Sequence, residues 1–154
     1  MITMEANELI NELGKRLGIE LELEEGACTI MAGDLFVTMN AFSELDAIVL
    51  TGDLGEPQPE NLENLYKTML EANHLFSGTA GATLSLNHET NCFSLCKALP
   101  CRLMDVDSFY AEIERFVNTL EVWSKLVQNY RGNEADEQSN STTPSFGGND
   151  FIRV

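Results

Sequence analysis

The 154-residue sequence predicts a single α+β domain with the element order α-β-β-β-α-β-β-α and a twisted, mainly antiparallel sheet carrying three helices. Three observations predict it. Apolar residues recur at three- and four-residue steps in three separate stretches, the period that lines one face of an α-helix. Between those stretches lie short, partly alternating runs bounded by Gly, Asp and Asn, the pattern of strands and their turns. The length favours one domain, and an apolar fraction of 44% is enough for a core that needs neither metal nor disulfide.

The first helix is predicted from Met4 to Leu17, with Ala6, Leu9, Ile10, Leu13 and Leu17 as its stripe and Gly18 as the residue that ends it. Gly14 lies inside the pattern, where a glycine costs about 1 kcal/mol against alanine and marks a close approach of another element. Three strands follow, at Ala27 to Ala32, Leu35 to Asn40 and Asp46 to Thr51, the first two joined as a hairpin by Gly33 and Asp34. Alternation puts Leu35, Val37 and Met39 on one face and Phe36 and Thr38 on the other, and sets Ile48 and Leu50 against Ala47 and Val49. Both faces of this sheet therefore carry apolar groups. A sheet covered by helices on one side should be polar on the other, unless that side also has something to bind.

The second helix is predicted from Leu62 to Phe76, through Leu62, Leu65, Tyr66, Met69, Asn73 and Phe76. Pro59 suits its first turn, Glu60 and Glu63 sit at the positive end of its dipole, and Gly78 stops it. Ala82 to Asn87 and Cys92 to Ala98 form a hairpin across His88, Glu89, Thr90 and Asn91, and Pro100 closes the unit. The last helix runs from Asp107 to Tyr130 with Phe109, Ile113, Phe116, Val117, Leu120, Trp123, Val127 and Tyr130 at helical spacing. Asp105 or Asp107 caps it, and Glu121 and Lys125 stand in the favourable i,i+4 order. From Gly132 to Val154 the composition turns small and polar without period, which predicts a disordered tail after a domain of residues 1–131. The apolar end of that tail, Phe151, Ile152 and Val154, has the makings of a short docking peptide.

Charge narrows the function. A formal charge of −16 and a pI near 4.2 oppose binding to nucleic acid or to anionic membranes. Acidity of this degree gives solubility and steers basic or flexible partners. No basic segment followed by an apolar one opens the chain, and no apolar run approaches membrane-spanning length, so a cytosolic protein with reduced cysteines is expected.

Candidate chemistry is sparse. Cys92, Cys96 and Cys101 cluster near His88 and His74, but the spacing lacks the paired Cys or His of a structural zinc site. On a strand, Cys92 and Cys96 share a face and suit packing. The chain has only two His, each without a nucleophile motif around it, and the 25 acidic residues are read as solvated charge. There is no phosphate-binding GxxxxGKS/T and no GxGxxG; GTAGAT at 78–83 enters a strand instead of opening a helix. No catalytic residue, metal or cofactor is predicted.

The Leu-rich first helix ending LGKRLGIEL, the strand exit IVLTGDLGEP, the helix end LEANHLF, the strands ATLSLN and CFSLCKALP and the final FVNTLEVWSKL together resemble the class I type III secretion chaperones, the Tir chaperone family, over about residues 4–130. The resemblance implies a homodimeric, ATP-independent chaperone of the bacterial cytoplasm that holds the N-terminal segment of a secreted effector in extended form. It implies effector contact by the first helix and first three strands, for which Ile10, Leu13, Met31, Leu35, Phe36, Val37 and Val49 are the candidates. It implies a dimer interface on the second helix and the strand after it, with Leu62, Leu65, Tyr66, Met69, Asn73, Phe76, Leu84 and Leu86 as candidates. An extended client would add its backbone to a sheet edge and seat apolar side chains in pockets. For the tail beyond the family's minimal fold, three roles stand open: contact with the secretion ATPase, occupation of the groove in the absence of a client, or solubility. Two other functions remain as alternatives, a binding protein of the same fold that sequesters a transcriptional regulator and a small metal-dependent hydrolase using Cys92, Cys96, His74 or His88.

Overall fold

The structure, a computed structural model, describes residues 2–57, 60, 62–129 and 151–153. Helix α1 (Ile2–Leu17) leads into strands β1 (Ala27–Ala32), β2 (Leu35–Phe42) and β3 (Ala47–Gly55). Helix α2 (Leu62–Asn73), strands β4 (Thr83–Asn87) and β5 (Cys92–Pro100), helix α3 (Val106–Asn129) and a short strand β6 (Phe151–Arg153) complete the chain. The expected order is present. The sheet has six strands in the order β4-β5-β3-β2-β1-β6, and every pairing is antiparallel.

The three helices lie on one face of the sheet. Leu50, Gly52 and Leu54 of β3 face them, and a Cβ added at Gly52 would lie 2.5 Å from Leu120 of α3, so the glycine is what lets helix and strand approach. Its neighbour across the ladder, Leu95, is fully buried, and two residues on Phe93 meets Tyr66 of α2 edge-to-face at 5.9 Å. The α3 stripe read from the sequence is the centre of the core: Phe109, Ile113, Phe116, Val117 and Leu120 are all buried. Each such side chain contributes about 1.5–3 kcal/mol by leaving water. Gly14 also meets its expectation, since a Cβ there would stand 2.7 Å from the Ile19 carbonyl oxygen where the chain turns back under α1.

Local chemistry sets the ends. Asp105 caps α3 by accepting the Ser108 N–H at 2.8 Å, and the Asp105 N–H in turn donates to Ser108 Oγ at 3.0 Å. The Ser108 backbone N–H, more than its side chain, holds the Asp105 carboxyl below the ordinary carboxylate range. Arg16 of α1 pairs with Asp107 and lies 4.5 Å over the Tyr110 ring, tying the end of α1 to the start of α3. Burial, with Glu114 beside it, pushes the Tyr110 phenol up to about 12.

Several boundaries differ from expectation. Strands β2, β3 and β5 each run two to four residues longer, β5 through Pro100. Helix α2 ends at Asn73, because Leu75 and Phe76 adopt left-handed backbone (φ +53° and +55°) and turn the chain through a short 3-10 segment. Pro59, Tyr130 and the tail over 130–150 lie outside the described residues. Residues 151–153, expected within a disordered tail, form β6 instead.

Candidate functional site

The face of the sheet away from the helices carries Thr29 and Met31 of β1, Phe36, Thr38 and Asn40 of β2, Val49, Thr51 and Asp53 of β3, and Ser94 and Cys96 of β5. None of these is buried. Its centre is polar and internally bonded. The Thr29 and Thr38 hydroxyls lie 3.0 Å apart, Asn40 Nδ2 donates to the Val49 carbonyl at 3.4 Å, and the Ser85 and Ser94 hydroxyls lie 2.9 Å apart. Toward the β1–β2 end the face becomes apolar, where Met31 stands opposite Phe36, whose side chain is 52% exposed. An aromatic left half in water beside a flexible thioether is an adaptable seat for an apolar side chain.

The seven candidates for effector contact divide on this geometry. Met31, Phe36 and Val49 share the open face. Leu35 is half-buried at its end and packs toward the core. Ile10, Leu13 and Val37 are fully buried in the single chain, within its core. Core and groove positions share one periodicity, so the sequence does not separate them. Phe42, 47% exposed, continues the Phe36 alternation and was missed because the strand was expected to stop at Asn40.

The second surface is the outer side of α2. Leu65 and Met69 are buried against the sheet, whereas Tyr66, Leu70 and His74 line a shallow apolar groove with Glu63, Lys67 and Glu71. Leu70 is 69% exposed, Leu75 83%, and Phe76 and Leu86 about half. Of the eight dimer candidates, Tyr66, Phe76 and Leu86 are therefore open to a partner, and Leu62 is half-buried. Leu65, Met69 and Leu84 belong to the core of the single chain. Asn73 is engaged elsewhere: its Oδ1 accepts the Leu84 N–H at 2.9 Å and its Nδ2 donates to the Leu84 carbonyl at 3.1 Å. It thus closes the outer edge of β4 as a neighbouring strand would. Leu70 and Leu75 went unnamed in the sequence because the stripe was drawn one residue short of them on either side; the i,i+4 step from Tyr66 to Leu70 is the signal.

The opposite edge, β1, is closed differently. Ala27 exchanges both backbone bonds with Glu24, at 2.9 and 3.0 Å, and β6 pairs with Ile30, Met31 and Ala32. Arg153 Nη2 lies 2.6 Å from Glu24 Oε1.

The cysteines and histidines do not assemble. Cys101 and Cys28 are buried, Cys92 and Cys96 are half-buried on the open face, His74 follows α2 and His88 sits in the β4–β5 turn. Burial, the largest influence on it, raises the Cys28 thiol above its ordinary pKa. Among the described residues no group of three His, Cys, Asp or Glu is placed to hold a metal ion, and no helix is long and apolar enough to cross a membrane.

Comparison with known proteins places this architecture. Residues 8–124 match the model of the Tir chaperone protein (CesT) family. Among solved structures, the HopA1–SchA chaperone–effector complex is similar with a TM-score of 0.69 at 15% identity, over 80% of this chain and 95% of that one. The ExsC–ExsE complex matches with a TM-score of 0.68 at 19% identity, over 81% of this chain and 95% of that one. The ExoU–SpcU complex from the type III secretion system of Pseudomonas aeruginosa matches with a TM-score of 0.62 at 19% identity, over 77% and 95%. At these identities the likeness is one of fold. No match to a curated protein was found.

Proposed function

Because the chain belongs to the Tir chaperone protein (CesT) family, we propose that it is an ATP-independent type III secretion chaperone, which binds the N-terminal segment of one or more effectors in extended form and keeps it competent for secretion. The observation that carries this reading is the one-sided sheet. Three helices cover one face, while the other holds a satisfied polar centre and an apolar end at Met31 and Phe36. An extended chain laid there would seat alternate side chains against Met31, Phe36 and Val49 and leave its polar groups over the threonines and Asn40. The task is binding and holding, with no bond made or broken.

The same reading makes the protein a homodimer in the bacterial cytoplasm, joined through the outer side of α2. Tyr66 and Leu70, which share one groove, and the exposed Leu75, Phe76 and Leu86 support it, since large apolar groups left in water by the single chain suit a partner. Co-expression with the secreted proteins encoded beside it, followed by limited proteolysis of whatever co-purifies, tests the reading. A protected stretch near the partner's N-terminus is expected, with the rest of the partner digested. A monomer that retains no polypeptide would overturn it.

A further inference from the structure

We infer that β6 is a resident strand on the client's docking edge, a segment of the chain's own C-terminus that an arriving client strand must displace. The client half of this inference rests on the function proposed above; the occupation of the edge does not. A sheet of this order has two edges, and they are closed by different means. At β4, Asn73 satisfies both outward backbone groups of Leu84 from a helix packed into the core, a closure that cannot leave without unpacking α2. At β1, the occupant is a three-residue strand from the far end of the sequence, covering Ile30 to Ala32 out of the six residues of β1.

The backbone geometry says which bonds are at stake. In an antiparallel strand alternate residues point their N–H and C=O to opposite edges. Ala27 points both outward to Glu24, so Thr29 and Met31 do likewise, and Met31 is the residue opposite Ile152. That same Met31 forms the apolar end of the open face with Phe36. Edge and pocket are therefore one site, and a client strand cannot add there while β6 is in place.

Charge selects the occupant. The chain has nine basic residues against 25 acidic ones, and one of the nine, Arg153, is set 2.6 Å from Glu24 at this edge. A fitting client strand carries an apolar residue at the position of Ile152 with a basic residue following it, and it gains by extending past β6 to pair with Thr29. The resident strand benefits from being tethered, since a tethered segment acts at an effective concentration in the millimolar range. Its shortness keeps it displaceable. A client pairing along more of β1 outcompetes it, so an empty chaperone hides its adhesive edge and a loaded one gives it up.

The test uses the full chain and an Ile152→Pro variant, in which the ring removes the N–H that pairs with Met31. Two readouts are needed: hydrogen exchange at the Met31 amide, and binding of a labelled synthetic peptide of residues 147–154, GGNDFIRV. Wild type is expected to protect the Met31 amide and to bind the peptide at least about fivefold more weakly than Ile152→Pro, since its site is open only a fraction of the time. Equal Met31 exchange in the two chains, or equal peptide binding, overturns the resident strand. Client capture in co-expression is measured separately on the same pair. Stronger capture by Ile152→Pro supports competition; equal capture makes β6 a guard of the edge only and overturns competition while the chaperone reading stands. If neither chain captures a client, the chaperone reading fails and the client half of this inference with it, whereas the peptide and exchange results still decide the occupation of the edge.

Discussion

Lys97 and Glu112 join β5 to α3 through a bond of 2.6 Å between side chains that are each less than one-fifth exposed, with Arg115 on the other carboxylate oxygen. Burial, the largest influence, works to raise the Glu112 pKa, but Lys97 and Arg115 together outweigh it and hold the carboxyl below its ordinary value. A depressed carboxylate contributes stability that is fully present above the unfolded pKa of about 4.5 and is lost as pH falls through the folded value. Glu112→Gln should therefore be less stable than wild type near neutrality, and urea unfolding should show the gap narrowing below about pH 4.5. A gap independent of pH would remove this pair from the account. Asn73 makes a sharper case, since its amide supplies one donor and one acceptor to the two backbone groups of Leu84. Asn73→Ala should cost about 1–3 kcal/mol in urea unfolding, the penalty of leaving partly buried polar groups unpaired. Asn73→Asp should recover little of it, because a carboxylate accepts from the Leu84 N–H but sets a second acceptor, with no donor, against the Leu84 carbonyl oxygen. At this scale the sequence was only half legible. The stripe containing Asn73 was evident, but that its amide mimics a strand depends on β4 lying beside it, a long-range fact. Ile10, Leu13 and Val37 show the same limit from the other side, because an apolar residue on the period of its element looks identical whether its neighbour is the core or a client.

Among the elements, α2 divides the labour most clearly. Leu65 and Met69 hold it to the sheet, and one step round the helix Tyr66 and Leu70 face outward. Leu70→Asp should leave the stability of the single chain within about 0.5 kcal/mol of wild type, since an exposed position makes little of the core. It should convert a species of twice 17.1 kDa into one of 17.1 kDa by light scattering. An unchanged mass would move the interface away from α2. The sequence disclosed α2 through its stripe but extended it to Phe76, since nothing in LEANHLF announces the left-handed backbone at Leu75 and Phe76. Likewise β2 was expected to end at Asn40 and so hid Phe42, whereas the pairing of Phe42 with Ala47 on β3 carries the strand further. For β6 the sequence showed an apolar docking end at Phe151, Ile152 and Val154 but not a strand. Three residues without strand context acquire it only from the free edge of β1, more than a hundred positions earlier in the chain.

As a whole the molecule is a strongly acidic body with one bare sheet face, and its charge of −16 acts on partners before any contact forms. Association with a basic client segment should slow as salt rises from low to physiological strength, with dissociation much less affected, because screening over about 8–10 Å removes the long-range attraction but not the seated contacts. Stopped-flow association at two salt concentrations reads this; a salt-independent association rate would reduce the acidity to solubility alone. The overall architecture was the most legible level, since length, three helical periods and two groups of alternating strands leave few ways to build one core, and the observed order follows them. The most direct test of the central claim, that the open face holds an extended client, is the affinity of a captured client's N-terminal segment for wild type and for Met31→Asp/Phe36→Asp, with circular dichroism to confirm the fold. A loss of about 2 kcal/mol, roughly thirtyfold in Kd, is expected, as for removal of a central anchor; a folded variant that binds the segment as tightly as wild type would contradict seating of the client on this face.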